Sequence, residues 1–266
     1  NIHKNLSLKP GKIIPLIAET GGLNTMIIDS SALLERACDD IIRSAFNSAG
    51  QRCSALRLLL VHQEVYSDLL SMLKGAMNDL TIGIPDNLGT DIGPIITFEA
   101  LEKLNNYLTK MESDGNFCFQ SSKCDIPSDG LWLSPTLVEL ELGSIPDEEQ
   151  FGPILHVASF SEDTLIDALQ EINAKGFALT FGIHTRIDAK ALDIAKEASS
   201  GNIYINRDIV GAVVETQPFG GKNLSGSGFK AGGPNYLLQF MDERVITVNT
   251  VAIGGNIDLI NLNNDN

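Results

Sequence analysis

Short unbroken apolar runs alternate along this chain with longer stretches in which apolar residues recur every three or four positions. Unbroken runs suit strands covered on both faces, and the 3.6-residue spacing suits amphipathic helices. In chain order, Ile13–Ala18 is expected to be a buried strand. A helix follows, capped by Ser30 or Ser31, with Leu34, Ala37, Cys38, Ile41, Ala45 and Phe46 on one face and Gly50 at its end. Leu56–Val61 reads as a strand. Glu64–Leu80 reads as a helix through Val65, Leu69, Met72, Leu73, Ala76 and Leu80, and Thr97–Met111 as another through Leu101, Leu104 and Leu108. Beyond a polar loop at Ser121–Gly130, strands are expected near Leu131–Leu140 and Ile154–Phe160. Ser161 caps a helix carrying Leu165, Leu169 and Ile172. Leu179–His184 is a strand, Ala189–Ala198 a helix and Gly201–Asn206 a strand. This alternation predicts an α/β fold, a mostly parallel sheet flanked by helices.

The pattern changes at Pro218–Pro234, where six of 17 residues are glycine. Such a stretch is a loop suited to close backbone approach. Tyr236–Phe240 reads as a short helix. Arg244–Ile253 alternates like a strand, which either pairs within its own fold or serves as an edge between subunits.

Composition narrows the function. The 266 residues correspond to roughly two domains at about 150 each, or one large one. Apolar residues make up 43% and charged residues 20%, as in ordinary globular proteins. Nineteen Lys and Arg against 34 Asp and Glu give a net charge of −15, which argues against a nucleic-acid or anionic-lipid surface on this segment. The longest aliphatic run is Leu58–Val61, far short of the ~20 residues of a membrane span. Cys38, Cys53, Cys118 and Cys124 form no C-x-x-C and no disulfide framework, and the first apolar stretch contains Pro15 and meets Glu19, unlike a signal peptide. A reducing, cytoplasmic location is expected. The four histidines show no metal-ligand spacing, so no metal is expected.

Two residues stand out for chemistry. Cys53, in Gly50-Gln51-Arg52-Cys53-Ser54-Ala55, lies between a helix and a buried strand, where a helix end or Arg52 would favour thiolate. Glu19 ends an apolar run beside Gly21 and Gly22, where a partly buried carboxylate can act as a base. Taken singly, a lone cysteine is usually a small core residue and a loop glutamate is usually solvated. The glycine-rich segment matches no phosphate-loop template, because Ala231 stands where the third glycine of G-x-G-x-x-G would be.

Four segments taken together say more. Glu19-Thr20-Gly21-Gly22, Gly50-Gln51-Arg52-Cys53, Glu149-Gln150-Phe151-Gly152-Pro153 and Pro218-Phe219-Gly220-Gly221 occur in that order. The sequence resembles the aldehyde dehydrogenase superfamily over nearly its whole length. Ser44–Leu56, Lys230-Ala231-Gly232-Gly233-Pro234, Gly201–Arg207 and Asn249–Asn256 look like its glutamate-semialdehyde (pyrroline-5-carboxylate) dehydrogenase branch. More narrowly, they are similar to that module of bacterial bifunctional proline utilisation proteins.

The resemblance implies a catalytic domain with a mostly parallel sheet, plus a C-terminal oligomerisation strand. By motif position Cys53 is the nucleophile and Glu19 the base for the hydrolytic water. Glu149 would hold the nicotinamide ribose of NAD, and Phe151 would pack beside the nicotinamide. Phe219 would line the substrate tunnel, Ser54, Gly232 and Gly233 would bind the substrate carboxylate, and Phe240 would pack on its aliphatic part. FAD would belong only to a proline dehydrogenase domain outside this chain. The implied layout is the end of an NAD-binding domain at 1–20, a catalytic domain at 21–226, and an anchor loop, return helix and oligomerisation strand at 227–266. The expected partners are a small aldehyde and further copies of the chain. With only 18 residues before Glu19, the segment alone is expected to lack NAD-linked activity. Another aldehyde such as succinate semialdehyde, a non-catalytic assembly domain, and a thiol hydrolase with a histidine near Cys53 remain alternatives.

Overall fold

The computed structural model describes residues 2–121, 129–213, 215–249 and 252. The elements run in the order α1 (Ile2–Leu8), β1 (Thr25–Ile28), α2 (Leu34–Phe46), β2 (Leu58–His62), α3 (Tyr66–Asn78) and α4 (Phe98–Ser113). Then come β3 (Cys118–Gln120), β4 (Thr136–Leu140), β5 (Ile154–Phe160), α5 (Leu165–Ala174), β6 (Phe177–Ala178), β7 (Thr180–His184), α6 (Asp188–Glu197), β8 (Asn202–Ile205) and β9 (Lys222–Asn223). Seven strands form one sheet in the order β3-β4-β5-β2-β1-β7-β8, parallel throughout except for the β3–β4 pair at one edge. β6 and β9 form a separate two-stranded ribbon.

Both faces of the central strands are covered, which is why they read as unbroken apolar runs. Met26, Ile28, Leu59 and Val61 point into a core shared with Ile41 of α2, Leu73 of α3 and Leu104 of α4. Ile27, Leu58, Leu60, Phe181 and Ile183 point the other way, onto Leu169 of α5 and Ile194 of α6. The predicted mostly parallel sheet with flanking helices is therefore the observed architecture.

Several expectations need correction. Ile13–Ala18 is not a strand: Pro15 lacks an N–H, and Ile13 and Ile14 lie in solvent. The strand that fills that place in the sheet is β1, only four residues long. Neither Ser30 nor Ser31 caps α2, whose N-cap is Leu33. Ser31 instead donates its hydroxyl to Asp29 and meets Thr185 across the sheet. α2 ends at Phe46, and a separate helical turn runs from Asn47 to Gly50. The expected strand over Leu131–Leu140 begins only at Thr136, after Pro135. The helix expected over Thr97–Met111 is α4, capped by Thr97, whose Oγ1 accepts from the Ala100 N–H at 3.2 Å. Residues 244–249 are not a strand; Val245, Ile246 and Val248 are exposed and no strand pairs with them among the described residues. Positions 250, 251 and 253 of that expectation lie outside the described residues, as does Cys124.

Candidate active site

Three of the four motif segments lie just before strands of the seven-stranded sheet, and the fourth rests against the start of another. Gly21 and Gly22 precede β1, Cys53 precedes β2, Glu149–Gly152 precede β5, and Gly201 precedes β8 beside the 218–220 segment. Parallel strands bring these starts to one edge of the sheet.

The Cys53 turn is held from below by Asn24, only 2% exposed. Its Nδ2 donates to the carbonyls of Cys53 (2.7 Å) and Ala55 (2.8 Å), and its Oδ1 accepts from the Thr180 N–H (3.1 Å). Gln51 fixes the other side, donating to Pro94 O at 3.0 Å and accepting from the Ile96 N–H at 2.9 Å. Just upstream, Ser48, Ala49 and Gly50 all have left-handed backbones, with φ of 57°, 54° and 65°. For Ser48 and Ala49 this stores roughly 1–2 kcal/mol each beside the thiol. Gly50 has a second reason to be glycine, since a Cβ there would overlap the Gly152 carbonyl. That close approach brings the Glu149 loop onto the Cys53 turn.

Arg57 joins the two loops. It is fully buried, and its Nε and Nη2 donate to Glu149 Oε1 at 3.2 and 3.1 Å. Nη1 donates to Gly152 O (3.0 Å) and Nη2 also to Arg52 O (3.2 Å). The guanidinium lies 5.3 Å from the centroid of Phe151, which is 43% exposed. The second carboxylate oxygen of Glu149 rests on Gly21, where any side chain would collide with it. A further chain runs outward: the Arg57 carbonyl lies 2.9 Å from His156 Nδ1, and His156 Nε2 is 2.7 Å from the Tyr107 hydroxyl. Burial lowers the His156 pKa to about 4. The neutral ring thus donates from Nδ1 and accepts from Tyr107.

Burial raises the Cys53 thiol above its ordinary pKa; the Ser54 and Cys53 N–H groups oppose this, while the charges of Glu149 and Glu19 add to it. Cys53, Glu149 and Glu19 therefore share one electrostatic neighbourhood. Burial likewise raises Glu149, with Arg57 and the Gly22 N–H pulling it back. The expectation that Arg52 favours thiolate is corrected: its Nε donates to Ser48 Oγ at 2.9 Å, and the cation near the site is Arg57. Glu19 is exposed and follows no strand; its backbone bridges to Gly226. Ser54, next to Cys53 in the chain, is buried.

The glycine-rich segment folds back on itself. Phe219 and Ala231 exchange backbone hydrogen bonds at 2.9 and 2.8 Å. Gly233 closes a turn by donating to Lys230 O at 3.1 Å. Gln239 Oε1 accepts from the Phe229 N–H at 3.1 Å, drawing the Tyr236–Phe240 turn beside this loop. Phe240 is 62% exposed and meets Tyr236 edge to face. Phe219, Gly232, Gly233 and Phe240 thus lie on one folded-back segment, which meets Glu19 through a backbone bridge at Gly226. A cavity of about 330 Å³ adjoins the Cys53 turn, with Arg43, Arg52, Arg207 and Asp208 in its wall.

Asn24 and Arg57 hold these loops in place, and the motifs did not single them out. A polar residue just before one apolar run and a cation just inside the start of another were the available signals. The hydrolase alternative finds no histidine at the thiol: among the described residues, no hydrogen bond or ion pair joins any histidine to Cys53. Nor do the described residues contain a cluster suited to a metal ion, or a helix long and apolar enough to cross a membrane.

A mostly parallel sheet thus carries, near the amino ends of its strands, a thiol, a buried carboxylate–arginine pair and a glycine-rich loop. Residues 1–246 match the model of the Aldehyde dehydrogenase family, and the chain belongs to that family. It is 46% identical over 249 residues to the bifunctional protein PutA of Escherichia coli, covering 92% of this chain and 19% of that protein. Against PutA of Salmonella typhimurium it is 46% identical over 239 residues, covering 88% and 18%. With 1-pyrroline-5-carboxylate dehydrogenase 1 of Halalkalibacterium halodurans it shares 34% identity over 245 residues, covering 90% and 47%. Among solved structures, a bifunctional proline utilization A protein superposes with TM-score 0.88 at 45% identity, covering 95% of this chain and 26% of that one. A Thermus 1-pyrroline-5-carboxylate dehydrogenase with bound NAD gives TM-score 0.76 at 30% identity, covering 85% and 43%. The chain thus spans about a fifth to a quarter of the length of these PutA proteins and under half that of the dehydrogenases.

Proposed function

We propose that this chain forms the catalytic side of an NAD-dependent dehydrogenase that oxidises L-glutamate γ-semialdehyde to glutamate in proline catabolism. The observation that carries this reading is the gathering of Cys53, Glu149 and Glu19 in one electrostatic neighbourhood, with Arg57 clamping the two loops that hold the first two. The names and identities of the PutA and pyrroline-5-carboxylate dehydrogenase relatives support it.

The Cys53 sulfur attacks the aldehyde carbon. A C–S bond forms, and the carbonyl electron pair moves onto oxygen. The backbone N–H of Cys53 is a ready donor to that oxyanion. The nicotinamide end of NAD fits the residues present: Glu149 keeps one oxygen free of Arg57 for a ribose hydroxyl, and Phe151 offers an open ring face. NAD, when bound, supplies the hydride acceptor that turns the adduct into a thioester. Glu19, open to solvent, takes a proton from the water that cleaves the thioester, releasing the acid and the thiol. Ser54, Gly232 and Gly233 bind the substrate carboxylate, Phe219 lines its path, and Phe240 packs on its aliphatic part.

Iodoacetamide labelling tests the assignment. Cys53 is expected to react ahead of the buried Cys38 and the half-buried Cys118, and to be protected by L-glutamate γ-semialdehyde better than by succinate semialdehyde. Cys53→Ser should abolish the protected signal. Labelling with no preference for Cys53 would instead favour a non-catalytic assembly domain.

A further inference from the structure

Lys230 begins the turn that Gly232 and Gly233 complete. Its ammonium group is folded inward, onto Gly201 O, Asn202 Oδ1 at 3.0 Å and Gly220 O at 2.8 Å. Three acceptors around one nitrogen require the three donors of the charged form. All three acceptors are neutral, and among the described residues Lys230 has no carboxylate partner. Burial, with Lys222 adding to it, works against the charge.

A lysine partly withdrawn from water normally finds a counter-charge, because neutral acceptors compensate its desolvation incompletely. Asn202 already staples the same place, accepting from the Gly220 N–H at 3.1 Å and donating to Pro218 O at 2.9 Å. The fold thus supplies acceptors but, among the described residues, no counter-charge for this ammonium, which belongs to the residue at the root of the loop assigned above to the substrate carboxylate.

We propose that Lys230 is a specificity-determining residue whose fixed positive charge selects aldehydes bearing a carboxylate. It acts through its field and through the set of the Gly232–Gly233 turn, without touching the reacting atoms. The inference rests on the carboxylate-substrate reading given above.

The test needs no cofactor. The Cys53 thiolate adds reversibly to an aldehyde; the C–S bond forms, and the carbonyl oxygen takes the electron pair and a proton. The adduct blocks alkylation, so protection from iodoacetamide yields a dissociation constant. The probes are 5-oxopentanoate and pentanal, equal in chain length and differing in the carboxylate. The wild-type chain should bind 5-oxopentanoate at least about tenfold tighter, an effect of the size expected from one nearby charge. Lys230→Gln keeps hydrogen-bond donors and removes the charge, so the ratio should fall about tenfold with pentanal unchanged. Lys230→Arg should preserve the ratio. Asn202→Asp, which places a carboxylate beside an untouched Lys230, should lower it too. An unchanged ratio in both Lys230→Gln and Asn202→Asp, or equal weakening of both probes, would overturn the role of Lys230. A wild-type ratio near one is a separate result, and it would reject the carboxylate-bearing substrate itself.

Discussion

A nearby cation commonly favours the thiolate form of a cysteine, yet at Cys53 the surroundings push the other way. Burial comes first, and the charges of Glu149 and Glu19 reinforce it, so the thiol form prevails near neutrality until a base removes the proton. The Cys53 alkylation rate should therefore keep rising with pH past 9 and show no plateau near neutrality. Glu149→Gln removes one negative charge and frees Arg57 to face the sulfur, and both changes act in the same direction. At pH 7.5 that variant should alkylate about tenfold faster, as a thiol whose pKa has fallen by about one would. An equal rate in the two proteins would mean that the carboxylate is not felt at the sulfur. The place of Cys53 between a helix and a buried strand was legible in the sequence. The depression of its acidity was not, because Glu149 lies 96 positions away in the chain and only the fold brings it near.

Between elements, the decisive contacts are those of the two loops that precede β2 and β5. Arg57 and Glu149 form a buried ion pair, and removing one partner strands the other without water. Arg57→Met alone should cost about 3–5 kcal/mol in urea unfolding, whereas Arg57→Met with Glu149→Leu should recover most of that loss. If the double variant is as unstable as the single one, the pair is not what joins these loops. Gly50→Ala tests the same junction sterically: a left-handed backbone and a collision with the Gly152 carbonyl should together cost more than about 1 kcal/mol and slow Cys53 alkylation. At this scale, helices with a full apolar stripe, such as α3 and α4, were readable to within a few residues. β1 was not. Thr25–Ile28 is too short to show a period, and the longer Ile13–Ala18 run drew the assignment although Pro15 spoils it as a strand. Arg244–Asn249 misled in the opposite way, since alternation describes a surface that a partner strand can cover but does not supply the partner.

Across the molecule, acid stability follows from histidines enclosed by the sheet and its helices. Burial holds His156 and His184 at about 4, against about 6.5 in an unfolded chain. Between those values the unfolded state binds more protons, so stability is complete above pH 6.5 and falls as the pH drops towards 4. For His184 part of the loss is offset, because the Asp40 carboxyl 3.7 Å away is itself raised by burial and takes up a proton in the folded state. Among the described residues His156 pairs with no acidic group; it lies between Tyr107 and the Arg57 carbonyl. It alone should remove about 2 kcal/mol between pH 7 and pH 5, from a span of about 1.5 in pH at ~1.4 kcal/mol each. The check is urea unfolding of the wild type and His156→Gln at both pH values. The variant should lose about 2 kcal/mol less on acidification, because glutamine can keep both hydrogen bonds without titrating. Equal losses in the two proteins would mean that the imidazole is already charged in the folded state, and with it the arrangement that holds the Arg57 backbone under Cys53 would have to be redrawn.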